Sequence, residues 1–335
     1  MAESISEIHT EPAVARVAHQ AELNASPDVC LMCGGTVKII LADLTDNRLG
    51  SPGVWQVCQC TRCGFEQIGP LPGQAQLTKL YEKYYNFGGQ TDTTYTRLRE
   101  KFLLSALYRW FTKLDGDVAF HHRPGHGRLL DVGCNEGRSL RLFSHNGFRE
   151  LEGLEVNETA AATARAAGFI VHTGLIDDFV PEKLYDVAIL SNVLEHSLDP
   201  RKMLSDVRRI LAPGGQVWIS CPNSQSWLRK AFGRSWLNWH APFHISHFAP
   251  KTLTRLLGDA GFTTIEMKQV TPALWFAQSL IVYLFSAKGK KTWQLRNPVL
   301  TVLFMAMARF LLFPLLWWEN RKGRGDCLLV VAQRA

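Results

Sequence analysis

From residue 128 onward, short apolar runs alternate with stretches whose apolar residues recur every three or four positions. RLLDVG, LEGLEV, FIVHT, YDVAILSN, QVWISCPN and TTIEMKQV read as strands. Between them RSLRLFSHNG, ETAAATARAAG, PRKMLSDVRRILAPGG and PKTLTRLLGDAGF read as helices, and several close on glycine as helix C termini do. This alternation predicts an α/β fold, a Rossmann-like doubly wound sheet with helices on both faces. A last apolar run, RGDCLLVVAQRA, predicts one more strand at 325–335.

The pattern also divides the chain. Residues 1–28 are polar and read as a flexible arm. Residues 29–73 hold five of the eight cysteines and leave through GPLPG. Residues 74–122 carry aromatics at helical spacing in LYEKYY and FLLSALYRWF and read as a helical cap. The α/β domain takes 123–271, and an apolar helical insertion takes 272–324. There is no internal repeat.

The first residues, MAESISEIHTEP, lack the basic and apolar regions of a signal peptide. The cysteines are then expected in a reducing cytoplasm, where metal binding is favoured over disulfides. CLMCGG and CTRCGF set Cys30 and Cys33, and Cys60 and Cys63, in two knuckles with 26 residues between them. That spacing predicts a closed four-thiolate zinc ribbon of structural character. Cys58 is an extra thiol that could stand in for Cys60, and a pair of unliganded turns is the alternative.

Within the insertion, Pro298–Trp318 is long enough to span a bilayer. The final strand must nonetheless rejoin its sheet, so the insertion crosses twice or not at all. The basic clusters KGKK and RKGR flank this run. Helices lying in a membrane interface are expected, with Trp275, Trp293, Trp317 and Trp318 at headgroup level. A buried helical pair or a homodimer interface is the alternative. Charge changes the balance. Of the net +7, all is contributed from Lys288 on, where nine Lys and Arg face two acids, leaving 28 basic and 28 acidic residues elsewhere. Basic residues beside an apolar run suit an anionic membrane surface, hence a peripheral place on the inner face of the cytoplasmic membrane.

The chemistry is concentrated in LLDVGCNEG, residues 129–137. Gly133 and Gly137 permit backbone conformations and close approaches that other residues resist, and Asn135 tolerates positive φ. Glu155 closes the next strand, 22 residues past Gly133, where an acid holds ribose hydroxyls. Asp131 would repel a pyrophosphate but favour a cationic sulfonium and an amino group.

These residues, with SNVLEHSLDP and ILAPGGQVWISCPN, resemble class I S-adenosylmethionine-dependent methyltransferases, closest to the small-molecule O-methyltransferase branch that includes the ubiquinone-biosynthesis enzymes. The resemblance covers about 127–270 and the strand near 326–333, and it implies the seven-stranded methyltransferase sheet. It places Asp131, Gly133, Cys134 and Gly137 around the methionine part of S-adenosylmethionine and Glu155 on the ribose, though the Cys134 thiol also reads as core. Leu175 stands where an adenine-contacting acid commonly falls, so Asp177 or Asp178 takes that part. Asn192 and residues 193–196 would line the far side and the substrate mouth.

Methyl transfer is an in-line displacement, and a hydroxyl acceptor calls for a base. His244 and His196 lead as candidates, with His240 and His247 also in reach. WHAPFHISHF resembles the family's Pro-x-His-x-x-x-Phe segment. Packing with Trp236, Trp239 and Phe243 is the structural alternative. The segment after the ribbon resembles bacterial methyltransferases of surface-polysaccharide and secondary-metabolite pathways, where a ribbon and helices cover the substrate. The expected activity is methylation of a hydroxyl on a small or lipid-linked acceptor, a glycan or quinone-like amphiphile, at the membrane face. Alternatives are O- or C-methylation of a nucleotide-activated sugar, and a non-catalytic zinc-ribbon adaptor. No nucleic-acid partner is expected, because the ribbon is not basic and SNVLEH lacks the Asn-Pro-Pro-Tyr type of motif used on base nitrogens.

Overall fold

The computed structural model describes residues 29–84, 101, 102 and 104–335. The expected arm (1–28) and the middle of the expected helical cap (85–100 and 103) lie outside the described residues. The N-terminal strands are β1 (Val37–Leu44), β2 (Trp55–Cys60) and β3 (Glu66–Gly69), followed by α1 (Gln74–Tyr84) and α2 (Ala106–Asp115). The alternating region then runs β4 (Arg128–Val132), α3 (Arg138–Ser144), β5 (Glu150–Glu155), α4 (Glu158–Ala166), β6 (Ile170–Thr173) and β7 (Tyr185–Ser191). It continues with α5 (Pro200–Ile210), β8 (Leu211–Pro222), α6 (Trp227–Phe232), β9 (Ser246–His247), α7 (Pro250–Asp259) and β10 (Phe262–Val270). The insertion forms α8 (Ala273–Phe285), α9 (Pro298–Phe310) and α10 (Phe313–Arg321), and β11 (Cys327–Arg334) ends the chain.

The main sheet has seven strands in the order β10-β11-β8-β7-β4-β5-β6. β8, β7, β4, β5 and β6 are parallel, while β11 lies antiparallel between β8 and β10. This is the expected doubly wound sheet of the seven-stranded methyltransferase type. β4 shows why it forms. Leu129 and Leu130 are both fully buried, and they point into different core clusters on the two faces. A central parallel strand is covered on both sides and so needs apolar residues at consecutive positions.

Two boundaries differ from the sequence pattern. The helix expected to run through ILAPGG ends at Ile210, and Leu211 already pairs with Tyr185 in β8. Gly215 is needed there for close approach, since a Cβ would sit 2.9 Å from the Ala212 carbonyl oxygen and 3.1 Å from that of Tyr185. The cap helix ends at Asp115, because Gly116 takes φ 89° and lies tight against Val270.

The ribbon is joined to the main domain. Its four-stranded sheet is β1-β2-β3-β9, so one strand comes from the loop between α6 and α7. Glu66 is paired with Arg229 at 2.7 Å, the Met32 carbonyl accepts from Arg201 at 2.9 Å, and Phe65 lies on Phe248.

The insertion leaves the sheet after Val270 and returns at Cys327. Val270 pairs with Cys327, and Cys327 pairs with Pro222 at the carboxyl end of β8. The inserted helices therefore rise from the ligand-binding end of the sheet. Among the described residues no single helix is long and apolar enough to cross a membrane, and α9 and α10 are bent by 68° at their break. Arg309, inside the apolar run, is held within the protein: its Nε donates to Asp115 at 2.9 Å and its guanidinium lies over the Phe111 ring. Trp275 packs against the core and not outward, whereas Trp293, Trp317 and Trp318 are exposed.

Asp326, fully buried at the start of β11, accepts hydrogen bonds from Ser226 Oγ, Trp236 Nε1 and Asn238 Nδ2. Asp326→Ala would leave three buried donors without an acceptor. We expect it to lower the unfolding free energy by about 3 kcal/mol or more, measured by urea unfolding against the parent chain.

Candidate active site

The turn after β4 is built as its sequence requires. Gly133 has φ 75°, Asn135 φ 50° and Gly137 φ 75°. A Cβ on Gly133 would meet Val193 at 2.9 Å, and one on Gly137 would meet Ala164 at 2.9 Å. The loop is tied to the end of β5 because the Gly133 amide donates to the Leu154 carbonyl at 2.7 Å. Glu155 accepts from the Asn135 amide at 2.8 Å and from the Asn157 amide at 2.9 Å. Asp131, Gly133, Gly137 and Glu155 thus share one loop cluster. Asn192, just past β7, takes φ 54°, and the next residue, Val193, lies against Gly133.

Asp131 is buried, and its Oδ2 has no hydrogen-bond partner among the described residues. Burial, with the Glu155 charge nearby, pushes its carboxyl up to about 7, against a hydrogen bond from Ser139. Asp131 and Glu155 both stand beside this one turn, an arrangement that favours a positively charged ligand. Cys134 behaves differently. Its thiol turns into the core, where a Cβ on Gly153 would fall 2.4 Å from the sulfur, so its side chain fills space under the loop. Asp177 and Asp178 are exposed in the turn after β6, and Asp177 is paired with Lys202 at 3.0 Å.

The predicted histidines do come together. The turn Leu194–His196 follows β7, and His240 and His244 come from the loop before β9. The His196 ring lies 4.7 Å from that of His244, and the His240 ring 4.9 Å from that of His244. His244 donates Nδ1–H to the Asn238 carbonyl at 2.8 Å. His196 Nδ1 lies 2.9 Å from the Phe243 carbonyl oxygen and 2.7 Å from the Tyr81 hydroxyl of α1. Burial holds His196 down to about 4 and keeps His240 and His244 well below their ordinary value, with Arg48 of the ribbon adding repulsion to all three. His247 lies in β9, packed against Trp239.

Sequence reasoning passed over Tyr81 and Arg48, which reach the cluster from the helical cap and the ribbon. It named Glu195 only as lining. That residue is fully buried, and neither carboxylate oxygen has a partner among the described residues. Its adjacency to His196 in VLEH was the available signal.

The four ribbon thiols meet as their spacing predicts. Cys30 and Cys63 sulfurs are 3.6 Å apart, Cys33 and Cys60 sulfurs 3.5 Å, and all four lie within 4.8 Å of one another. A tetrahedral zinc site with bonds of about 2.3 Å has sulfurs about 3.8 Å apart, so this donor set fits zinc. Cys58 is buried within β2 and stands outside the group.

Comparison with known proteins follows the same outline. A family described as "Methyltransferase domain" matches residues 97–267. A "Probable S-adenosylmethionine-dependent methyltransferase" of Mycolicibacterium smegmatis is 33% identical over 144 residues, covering 42% of this chain and 54% of the relative. One of the same description from Mycobacterium tuberculosis is 28% identical over 142 residues, covering 42% and 50%. A "Ubiquinone biosynthesis O-methyltransferase" of Klebsiella pneumoniae is 27% identical over 157 residues, covering 43% and 63%. The chain spans about half the length of the first of these curated relatives. Because the family match extends over just over half of the chain, and over the strands that carry Asp131 and Glu155, this protein belongs to the methyltransferase domain family.

Proposed function

We propose that the protein transfers a methyl group from S-adenosylmethionine to a hydroxyl of a lipid-linked or otherwise amphiphilic acceptor at a membrane face. The position of the insertion carries this reading. Its helices rise from the end of the sheet that holds the cofactor loop, and their outer surface is apolar with a basic rim. Val299 is 72% exposed, Phe310 70% and Trp293 64%. Arg321 and Lys322 lie over Trp317 and Trp318, and Lys291 lies over Trp293. Exposed aromatic and aliphatic side chains rimmed by cations suit an anionic lipid surface. The relatives named as O-methyltransferases support oxygen as the acceptor atom.

When bound, S-adenosylmethionine supplies an electrophilic methyl group on a sulfonium and leaves as the neutral thioether. The chain's own residues do the rest. Asp131 faces the positive charge, Gly133 and Gly137 let the backbone come close, and Glu155 keeps acceptor capacity for ribose hydroxyls. The histidine cluster, neutral at physiological pH, takes the hydroxyl proton as the oxygen–carbon bond forms. The ribbon, closed by zinc on its four thiolates, holds the histidine loop through β3 and β9.

Three outcomes are expected. Cofactor affinity should fall by up to about tenfold per unit as pH drops below about 7, because a cation binds best when Asp131 is ionised, and should be flat above it. Calorimetry from pH 5.5 to 8.5 checks this, and Asp131→Asn should bind weakly with no such slope. Cys60→Ser should lose zinc and depress turnover by at least about tenfold, because a ligand's loss opens the site, yet leave cofactor affinity near the parent's. Finally, with methyl-labelled cofactor and fractionated lysate of its source cells, label should enter the lipid extract. Label confined to sugar nucleotides would overturn the membrane reading, and label in RNA would overturn the acceptor class.

A further inference from the structure

We propose that Glu195, His196 and His244 form a second metal centre, one that takes a divalent transition-metal ion beside the acceptor position. One donor atom from each of the three lies within 4.8 Å of the others. Glu195 has no exposed surface, and neither of its oxygens has a hydrogen-bond partner among the described residues. A buried carboxylate without a hydrogen-bond partner is costly whether charged or not. A protonated acid would still seek an acceptor for its own hydrogen, and Glu195 has found none. An ion would satisfy it.

The two histidines are oriented for ligation. Each has Nδ1 on a backbone carbonyl, Phe243 for His196 at 2.9 Å and Asn238 for His244 at 2.8 Å. A carbonyl only accepts, so on His244 Nδ1 carries the hydrogen and Nε2 the lone pair; on His196, whose Nδ1 faces both the Phe243 carbonyl and the Tyr81 hydroxyl, the same tautomer holds when the hydroxyl accepts. This outer hydrogen bond fixes the tautomer and ring orientation of metal-bound imidazoles. The two arms are held at fixed spacing, because the Ile245 amide donates to the Glu195 carbonyl at 2.8 Å.

Two imidazole nitrogens and one carboxylate suit Mn²⁺, Fe²⁺ or Zn²⁺ better than Mg²⁺ or Ca²⁺, which prefer oxygen. Three protein ligands leave positions open, unlike the four-thiolate ribbon. An acceptor oxygen placed there would have its hydroxyl acidified by a Lewis acid. With the ring nitrogens of His196 and His244 on the ion and on backbone carbonyls, the proton passes to His240, the histidine of the cluster that is not a ligand, whose ring lies 4.9 Å from that of His244. This catalytic role rests on the methyl-transfer reading above, while metal binding itself does not.

Mn²⁺ is the probe, since it competes poorly for thiolates. The full-length, zinc-loaded protein is titrated with Mn²⁺, and free ion is followed by electron paramagnetic resonance while zinc is counted by mass spectrometry. We expect one Mn²⁺ per chain in addition to the ribbon zinc. Glu195→Gln, nearly the same shape, should weaken Mn²⁺ by at least about tenfold with zinc content unchanged. On the unsubstituted protein, bound Mn²⁺ should broaden the ring resonances of His196 and His244. No Mn²⁺ binding at millimolar concentration, unchanged affinity in Glu195→Gln, or broadening centred elsewhere overturns the proposal. Methyl transfer by a chain that binds no Mn²⁺ would sink the metal centre alone, and Mn²⁺ binding without methyl transfer would sink only the activity.

Discussion

Two backbone hydrogen bonds hold the ribbon and the histidine cluster together. The Ile68 amide of the ribbon donates to the Ile245 carbonyl, and the Ile245 amide donates to the Glu195 carbonyl. Through them the ribbon, the histidine loop and the turn after β7 form one continuous backbone network. The bonds are ordinary in strength, but they are buried, and breaking one would leave polar groups without water. The remaining ties lie around them: Glu66 with Arg229, Tyr81 against His196, and the Asp326 carboxylate gathering Trp236 and Asn238. A small cysteine-rich unit cannot bury much core of its own. Here it shares one, since Cys30, Met32, Cys60 and Phe65 pack in the same cluster as Leu130 and Val132 of β4.

The cofactor side depends on a different constraint and is built wholly within the α/β domain. Asp131 and Glu155 stand at the ends of neighbouring strands, which are paired in parallel register with Asp131 opposite Gly153. The absence of a side chain at Gly153 lets Cys134 fold inward, and that in turn lets the loop lie flat against β5. Glu155 is held by two backbone amides, whereas Asp131 keeps one oxygen unengaged among the described residues. The electrostatic strain of the pair therefore falls on Asp131, the residue nearest the centre of the sheet. A cation would relieve it there, so the same burial that raises the Asp131 carboxyl also sharpens its preference for a positive ligand.

Much of this was legible in the sequence where the signal is local. Strand–helix alternation, the glycine spacing of the loop and the two cysteine knuckles each fall within a few residues, and the fold reproduces all three. What was not legible depends on long-range partners. β9 is two residues long and becomes a strand only because Glu66, far upstream, lies opposite His247. Asp177 reads as a ligand-facing acid from its position after β6, and only the fold shows that Lys202 of α5 lies 3.0 Å from it. ILAPGG looks like a helix end, yet Leu211 is drawn into β8 by its pairing with Tyr185. Glu195 reads in the sequence only as lining of the substrate mouth, because burial of a carboxylate cannot be read from its neighbours in sequence.

Arg309 decides how the insertion should be understood. A cation in the middle of Pro298–Trp318 would be expensive in lipid, and by composition alone it argues against the membrane. The structure gives it an internal partner, because Asp115 and the Phe111 ring of α2 hold it on the protein side of α9. With its charge satisfied inside the protein, α9 still leaves Val299, Val302, Leu303 and Phe310 exposed. A helix pinned on one side by a buried ion pair, and bent against its successor by 68°, is poorly shaped to cross a bilayer. It is well shaped to rest its open side on one. On the membrane reading proposed above, the insertion would rest on the lipid from the end of the sheet where Cys327 meets Pro222 of β8, and the proposed amphiphilic acceptor would enter from that same end.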